Sequence, residues 1–396
     1  MPLALGGTVF LVQVSVGLVL FATFQQYVPT ELGTGDAWPG ILLTAYGIGR
    51  FAFETPGGAI TDRVGRRIGL LIGFTMMTPP LMLMAVAPSP WIFLGLSLWL
   101  GLGNAFLWPA AYALSADLYN PEWRGKVSGF LNVCQLTGWG AGAFAGAMVV
   151  ESFPMMQFAI ALGVVGVAAL LVWAWLPSPR TPAMMHFREK RPSMWSVMSV
   201  RVAFMVGLIL VSSSSSGMLI PAIRPFGEDQ LDASFATVTL GLGPALIIGA
   251  ALYVPAGQVA DRFGRILPFV VGQFLVFVSL LALSSSGDIV TAAILAIFVF
   301  SGYTISIPAW SSAMMDLAPE SHRGALIGLS VAASGLGLGL GPTIGGVVAE
   351  VWDAVATLRT AALMSGVAGL GIWIYWKTYG NSRAGAVPAH ATADEP

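Results

Sequence analysis

The chain repeats part of itself at one fixed offset. Residues 56–66 read PGGAITDRVGR and residues 255–265 read PAGQVADRFGR, so Asp62 and Asp261 stand 199 residues apart. The same offset relates further positions: Pro109 to Pro308, Asp117 to Asp316, Arg124 to Arg323, and Gly138, Gly142 and Gly146 to Gly337, Gly341 and Gly345. A repeat in register over so much of the chain indicates two halves of one architecture.

The composition places these halves in a lipid bilayer. Of the 396 residues, 56% are hydrophobic and 9% are charged, against about 25% charged in a typical soluble domain. Crossing about 30 Å of hydrocarbon takes roughly 20 apolar residues. We predict twelve spans, numbered 1–12 in chain order: 5–28, 38–60, 68–87, 90–115, 127–150, 155–176, 202–223, 234–259, 267–286, 289–314, 325–349 and 357–378. The expected fold is an all-α membrane protein with two pseudo-symmetric six-helix bundles.

A polar, proline-rich stretch divides the spans into two groups of six. We predict an N-terminal bundle at 1–176, a cytoplasmic linker at 177–201, a C-terminal bundle at 202–379 and a disordered tail at 380–396. The first apolar run has no basic leader and no clear small-residue cleavage site, so we interpret it as a retained first helix.

Lysine and arginine are unevenly distributed between the two ends of the spans. The loops after even-numbered spans and the C-terminal flank hold fifteen of the eighteen basic residues. The opposite loops hold Arg224, which we expect to pair with Glu228 or Asp229, and Arg359. Because basic loops remain in the cytoplasm, we predict a multi-pass protein of the cytoplasmic membrane with both termini inside. We call the end with the repeated Asp-Arg loops the basic end and the other the distal end.

The repeated loop carries a family resemblance. Its pattern, Gly-x-x-x-Asp-Arg-x-Gly-Arg, follows spans 2 and 8 and resembles the signature loop of the major facilitator superfamily. With the twelve spans and the central linker, the resemblance covers the whole chain. It implies secondary active transport by alternating access, with a gate at the cytoplasmic side. The implied gating residues are Gly58, Asp62, Arg63, Gly65, Arg66, Asp117 and Arg124, with Gly257, Asp261, Arg262, Gly264, Arg265, Asp316 and Arg323 in the second half.

The signature loop also has a physical interpretation of its own. Asp62 and Asp261 end helices, where the helix dipole disfavours a carboxylate. Each therefore needs an arginine or a helix N-terminus as its partner, and Arg124 and Arg323 are the repeat-matched candidates. A basic loop that only fixes topology is the alternative.

Two ionisable residues lie deep inside a predicted span. Arg50 and Glu54 are one turn apart on one face of span 2, with Tyr46 a turn earlier. Their repeat partners are Gly249 and Tyr253, so symmetry does not require the pair. An intramembrane charge is costly and marks a functional candidate. Three interpretations remain open: Arg50 binds an anionic or strongly polar substrate, Glu54 carries a coupling proton, or the two neutralise each other as a structural pair.

Polar and aromatic side chains elsewhere outline a cavity. In the superfamily spans 1, 4, 7 and 10 line the central path, so the resemblance assigns most of these positions. The candidates are Gln13, Asn104, Trp108, Tyr112, Asn132, Gln135, Ser214, Tyr253, Tyr303 and Trp310. Packing is the alternative role for the aromatic members. Pro109 and Pro308 are expected to kink spans 4 and 10.

Small residues form two further patterns. The glycines of span 11, with Pro342, resemble a glycine–proline motif that exporters of the superfamily carry in span 5, where this chain has Ala143. Close helix packing alone accounts for such glycines. Five serines, 212–216, cannot share one helix face, so some must bond to backbone carbonyls.

The sequence predicts a proton-coupled transporter of a small organic solute, amphipathic or weakly anionic, with export favoured over uptake. Compact members of the superfamily are often exporters, whereas the incomplete motif of span 5 favours an uptake symporter or uniporter. A non-transporting sensor or assembly factor on the same fold is a further alternative, and the signature loops of both halves count against it.

Other classes of function find no support in the sequence. There is no nucleotide-binding loop, metal-ligand spacing or nucleophile–base pair, so we expect no ATP coupling, no cofactor, no metal and no enzymatic activity. The net charge of −1 gives no reason to expect a nucleic-acid partner. The expected partners are a solute, protons and the lipid bilayer, with the protein as a monomer.

Overall fold

The computed structural model describes residues 2–176, 199–263, 266–315 and 323–379, and every regular element in these ranges is helical. Most of the predicted linker, the predicted tail, and the signature or gate residues Gly264, Arg265 and Asp316 lie outside the described residues.

The N-terminal half forms six spans. Span 1 comprises α1 (Pro2–Gly17), a π-helical segment (Leu18–Tyr27) and α2 (Val28–Leu32), and span 2 is α3 (Ala37–Val64). Spans 3 to 6 are α4 (Arg66–Met84), then α5 (Pro90–Asn104) with α6 (Leu107–Leu118), α7 (Pro121–Val150) and α8 (Met156–Trp175).

The C-terminal half repeats this order with one helix per span. Spans 7 to 12 are α9 (Val200–Gln230), α10 (Phe235–Phe263), α11 (Ile266–Leu283), α12 (Ile289–Met315), α13 (Arg323–Val351) and α14 (Ala354–Tyr379).

The predicted all-α membrane fold is confirmed. Within the described ranges, eleven helical segments are long and apolar enough to cross a membrane. The remaining span, α3, has 28 residues, and Arg50 and Glu54 lower its hydropathy. Because charges inside a membrane span are costly, the two in α3 mark this helix as a functional candidate.

Span 4 breaks where the sequence predicts a kink. Helix α5 ends at Asn104 and α6 begins at Leu107. Pro109 has no N–H to donate to the carbonyl of Ala105, so the ladder of helical hydrogen bonds opens there. Span 10 contains Pro308 yet continues as one helix, α12.

The glycines of span 5 let it pack directly on span 1. A Cβ atom at Gly138 would lie 2.6 Å from the carbonyl oxygen of Phe10, and one at Gly142 would meet the carbonyl oxygen of Val14. Small residues allow helix backbones to approach this closely in a membrane. Helix packing therefore explains this stripe without a further role.

Span 11 repeats the same contact against span 7. A Cβ atom at Gly337 would lie 2.5 Å from the carbonyl oxygen of Leu210, and one at Gly345 would lie 2.5 Å from that of Met218. The two stripes are related by the 199-residue offset, so the same glycine-mediated helix contact occurs in both halves.

The serine run of span 7 joins it to neighbouring helices. Gln273 of span 9 donates to Ser212 over 2.8 Å, and Ser213 lies 3.0 Å from the hydroxyl of Ser334 in span 11. Ser216 donates to the carbonyl of Ser213 over 2.8 Å, which confirms the expected backbone bonding. These hydroxyls act as polar contacts inside the second half.

Gly142→Ala should destabilise the protein by about 1–3 kcal/mol, because the added methyl group overpacks the span 1 contact. Gly163→Ala is the matched control, since a Cβ atom at Gly163 in α8 has nothing within 4 Å and alanine favours a helix. Thermal unfolding of the purified variants measures both effects. Equal midpoints for the two variants would contradict the packing role.

Candidate functional site

The two halves meet at the distal end. Six hydrogen bonds between described residues join the halves there. Thr44 of span 2 donates to the carbonyl of Gly339 in span 11 over 2.5 Å, and Thr343 donates to Thr44 over 2.7 Å. The backbones are also close, since a Cβ atom at Gly47 would lie 3.2 Å from Gly339. Spans 2 and 11 thus close the distal end.

An ion pair adds to this closure. Arg224, near the end of span 7, pairs with Asp36 before span 2 over 2.9 Å and with Glu228 on its own helix over 2.9 Å. The expected pair with Glu228 is confirmed. The pair with Asp36 crosses between the halves and was not predicted, because the 199-residue repeat has no counterpart for it.

The charges inside span 2 are not paired with each other. Among the described residues, Arg50 and Glu54 form no ion pair within 4.0 Å. The guanidinium of Arg50 lies 5.3 Å from the ring centroid of Phe51, and its Nε atom is buried without a hydrogen-bond partner. In this conformation Arg50 and Glu54 therefore do not neutralise each other as a tight ion pair.

Tyr112 of span 4 links these charges to both halves. Its hydroxyl donates to Oδ1 of Asn132 in span 5 over 3.5 Å. It also lies close enough to Arg50, Glu54 and Tyr253 of span 8 to interact with them electrostatically. Spans 2, 4, 5 and 8 thus bring five of the candidate residues into one neighbourhood, which we call the central cluster: Arg50, Glu54, Tyr112, Asn132 and Tyr253.

Unpartnered polar atoms accompany the central cluster on spans 2 and 4. Both amide atoms of Asn104 and the indole N–H of Trp108 are buried without hydrogen-bond partners in the described structure, and the buried hydroxyl of Tyr46 lies beside Arg50. The ring of Trp108 lies 5.2 Å from that of Tyr112. Buried polar groups are normally paired, so the unpartnered atoms of Asn104 and Trp108 have free capacity to bind a polar group of a ligand.

Two further candidates of the first half lie on spans 1 and 5. Gln13 of span 1 is fully buried and accepts a hydrogen bond from the indole N–H of Trp139 over 2.5 Å. That bond ties span 1 to span 5. Gln135 is half-buried in α7.

The three remaining candidates of the second half have contacts within that half. Ser214 is 2% exposed beside span 11. Tyr303 of span 10 is bonded to the hydroxyl of Ser215 over 2.8 Å, and Ser215 also lies 2.8 Å from the hydroxyl of Ser365 in span 12. Trp310 packs against an apolar cluster. These contacts give the three candidates packing partners within their own half.

At the basic end, the first signature loop is held by its own arginine. Arg66 pairs with Asp62 and, over 3.4 Å, with Asp117 of span 4. The partner of Asp62 is thus an arginine, as expected, although it comes from the same loop. Gly65 joins α3 to α4 with a φ of +98°, which favours glycine. The side chains of Arg124, Asp261 and Arg323 lie outside the described part of the chain.

The remaining loop residues differ between the halves. Gly58 packs on Pro109, since a Cβ atom there would lie 3.2 Å from that ring, whereas one at Gly257 would meet nothing within 4 Å. Arg63 and Arg262 are exposed. Among the described residues of this end, two arginines are therefore exposed and one signature glycine is open.

Comparison with known proteins identifies the family. The sequence profile of the Major Facilitator Superfamily matches residues 5–318 and 203–389, and the chain belongs to this superfamily. It is 24% identical to the proton-coupled antiporter flippase LtaA of Staphylococcus saprophyticus, over 87% of this chain and 86% of that protein. It is 22% identical to multidrug resistance protein 2 of Bacillus subtilis, over 87% and 88% of the two chains.

Solved structures show the same fold. A bacterial homologue of the human lysosomal transporter Spinster, in an inward-facing and unoccupied conformation, aligns with a TM-score of 0.80 at 14% identity. The alignment covers 96% of this chain and 97% of that chain. The protein is therefore a multi-pass membrane protein of a transporter family.

Ser215→Ala should lower the free energy of unfolding by about 1–3 kcal/mol, because it removes the bonds of Ser215 to the hydroxyls of Tyr303 and Ser365 and to the carbonyl of Ala361. The neighbouring Ser216→Ala is the control, since Ser216 bonds only to its own helix in the described structure. Thermal unfolding of both variants tests this. A Ser215→Ala variant as stable as Ser216→Ala would show that the serine run is not a structural junction.

Proposed function

We propose that the protein is a proton-coupled exporter of small amphipathic molecules that works by alternating access. The observation that carries this proposal is Glu54, an intramembrane carboxyl group that forms no ion pair in the described structure although Arg50 is one turn away. A carboxyl group at this depth is a candidate to exchange a proton rather than to remain ionised permanently.

The relatives support both proton coupling and export. One is named a proton-coupled antiporter and another a multidrug resistance protein. We infer the same class of activity for this chain, in the cytoplasmic membrane and with the basic end in the cytoplasm.

The closed distal end supports alternating access. The bonds between the halves leave that end sealed in this conformation. We infer that the cavity opens towards the basic end here, and that the bundles at 1–176 and 202–379 rock about the central cluster. In the opposite conformation the signature loops close the basic end, with Asp62 and Arg66 of the first loop, Asp117 of span 4 and their repeat partners at the interface.

The central cluster gives the coupling a physical basis. An amphipathic solute would stack on Tyr112 or Trp108 and bond to the unpartnered amide of Asn104 and to Tyr46. With Glu54 ionised, its charge offsets that of Arg50 a turn away. Protonation of Glu54 leaves the arginine uncompensated, which weakens binding of a cationic solute in a poorly screened site. Proton and solute then compete, and this is the requirement for antiport.

Uptake of an anion with a proton is the second candidate, and the unpaired Arg50 favours it. Protonation of Glu54 would strengthen the binding of an anion at Arg50. The two functions therefore predict opposite pH dependences at one site.

Glu54→Gln should abolish transport driven by a pH gradient and retain solute binding, because glutamine fills the same space but exchanges no proton. The assay uses ethidium, or the solute that most raises the unfolding midpoint in a library screen, with protein in liposomes. Glu31→Gln, at an exposed site of the distal end, is the control and should transport normally. Undiminished pH-driven transport by Glu54→Gln would exclude this residue as the proton carrier.

The pH dependence of binding should distinguish export from uptake. For the exporter, the rise in unfolding midpoint caused by a cationic solute shrinks as the pH falls, because proton and solute compete for the site. For the anion symporter, the rise caused by an anionic solute grows over the same range. In Glu54→Gln both dependences should flatten, and a dependence that survives this substitution would assign the titration to another group.

A further inference from the structure

Two glutamates at the distal end each reach across from one half to the other. Oε2 of Glu350, at the end of span 11, accepts a hydrogen bond from the backbone N–H of Ala37 in span 2 over 2.8 Å. Oε1 of Glu151, at the end of span 5, accepts one from the backbone N–H of Ala236 in span 8 over 3.2 Å. Both bonds connect a carboxylate of one half to a helix start of the other.

The two bonds are the same contact made twice. Glu151 and Glu350 are 199 residues apart, and so are Ala37 and Ala236. The offset that relates the signature loops at the basic end therefore also relates donor and acceptor at the distal end. Both bonds join the two halves, and the 199-residue offset converts one bond into the other. We therefore assign them to the duplicated architecture.

Helix electrostatics explain why carboxylates occupy these places. Glu151 directly follows the last residue of α7, and Glu350 lies in the last turn of α13. The negative end of its own helix dipole disfavours each charge, whereas the positive start of the facing helix favours it. The first N–H groups of a helix also lack partners within it.

The span 2 contact shows that the cap comes from the other half. Asp36 precedes α3 at the N-cap position but makes no side-chain cap bond; its carboxylate pairs with Arg224 instead. Glu350 thus supplies the side-chain acceptor that normally comes from the N-cap residue of the same helix. In α10, Ser234 accepts from Thr237 in the usual way, and Glu151 adds the bond to the helix start.

We propose that Glu151 and Glu350 are a matched pair of latches that hold the distal end closed and release together when it opens. This inference rests on the proposed alternating access. Because each bond spans the interface between the halves, it exists only while that interface is closed, whereas an ordinary cap persists in both conformations. Asp288 provides the contrast, since it accepts from Thr291 over 2.8 Å at the start of its own span.

A thiol probe at the distal interface measures opening directly. Thr44→Cys replaces a residue that is 8% exposed and bonded to span 11, and Cys134→Ser removes the natural cysteine. A thiol at position 44 reacts with a polar maleimide only when the distal end opens, so the labelling rate of the purified full-length protein reports the open fraction.

Glu151→Ala and Glu350→Ala in this background should each raise the labelling rate about ten-fold, the usual effect of losing a hydrogen bond to a charged group. The double variant should exceed either one. Glu→Gln at each site should give a smaller rise, since the amide oxygen still accepts a bond without the charge. Asp288→Ala removes a cap of the same chemistry within one half, and it should leave the labelling rate unchanged.

Unchanged labelling in both glutamate variants would overturn the proposal, and so would an equal rise in Asp288→Ala, which would indicate general loosening. If the unfolding midpoint shows that an Ala variant does not fold, the labelling rate of the Gln variant at the same site tests the proposal instead. The readout needs no solute or pH gradient. The two proposals therefore fail in different assays. If only the transport proposal is wrong, the parent protein moves no solute, but the glutamate variants still raise the labelling rate.

Discussion

A polar group inside a bilayer must find its partner within the protein, because hydrocarbon offers none. Most of the described structure follows from this constraint. The backbone is satisfied inside helices, Ser212, Ser213 and Ser215 find partners on neighbouring spans, and Thr44 bonds to span 11. Helices held together in this way can pack as closely as their glycines allow.

The exceptions to this constraint stand out because the rule is so widely obeyed. Arg50 keeps a buried Nε atom without a partner, and both amide atoms of Asn104 are in the same state. Glu54 makes no ion pair in the described chain. An unpaired buried group costs stability in every molecule of the protein, so its retention is best explained by a partner that arrives with the transport cycle.

The sequence predicted the fold well because its signals are local. Apolar runs and a proline in span 4 determine structure within a few residues of where they occur. The structure contains the helical spans, and α5 ends at Asn104. Partner choice is a long-range property, and it was harder to predict. Arg66 is the partner found for Asp62 among the described side chains, because a residue one turn away reaches it without moving a second helix.

The candidate site was predicted in part, for the same reason. Depth in the membrane singled out Arg50 and Glu54, but depth alone did not separate a ligand-facing residue from a packing residue. Ser214 and Tyr303 are therefore found inside the second half. The repeat also relates Glu151 to Glu350, and this match was not used to predict a contact. A carboxylate at a helix end is usually solvated. Only the structure shows that each one faces the start of a helix of the other half.

Span 2 connects all of these features. The single helix α3 begins at the latch of Glu350, passes the distal contact at Thr44, carries Arg50 and Glu54, and ends at the signature loop with Asp62. At 1.5 Å per residue, about 15 Å separates Thr44 from Glu54. A rigid helix transmits a tilt over that distance without any intervening chain of contacts. Under the proposed alternating access, a change of charge at Glu54 therefore acts on a helix that reaches both proposed gates, which gives a reason for the exceptional charges to lie in this span.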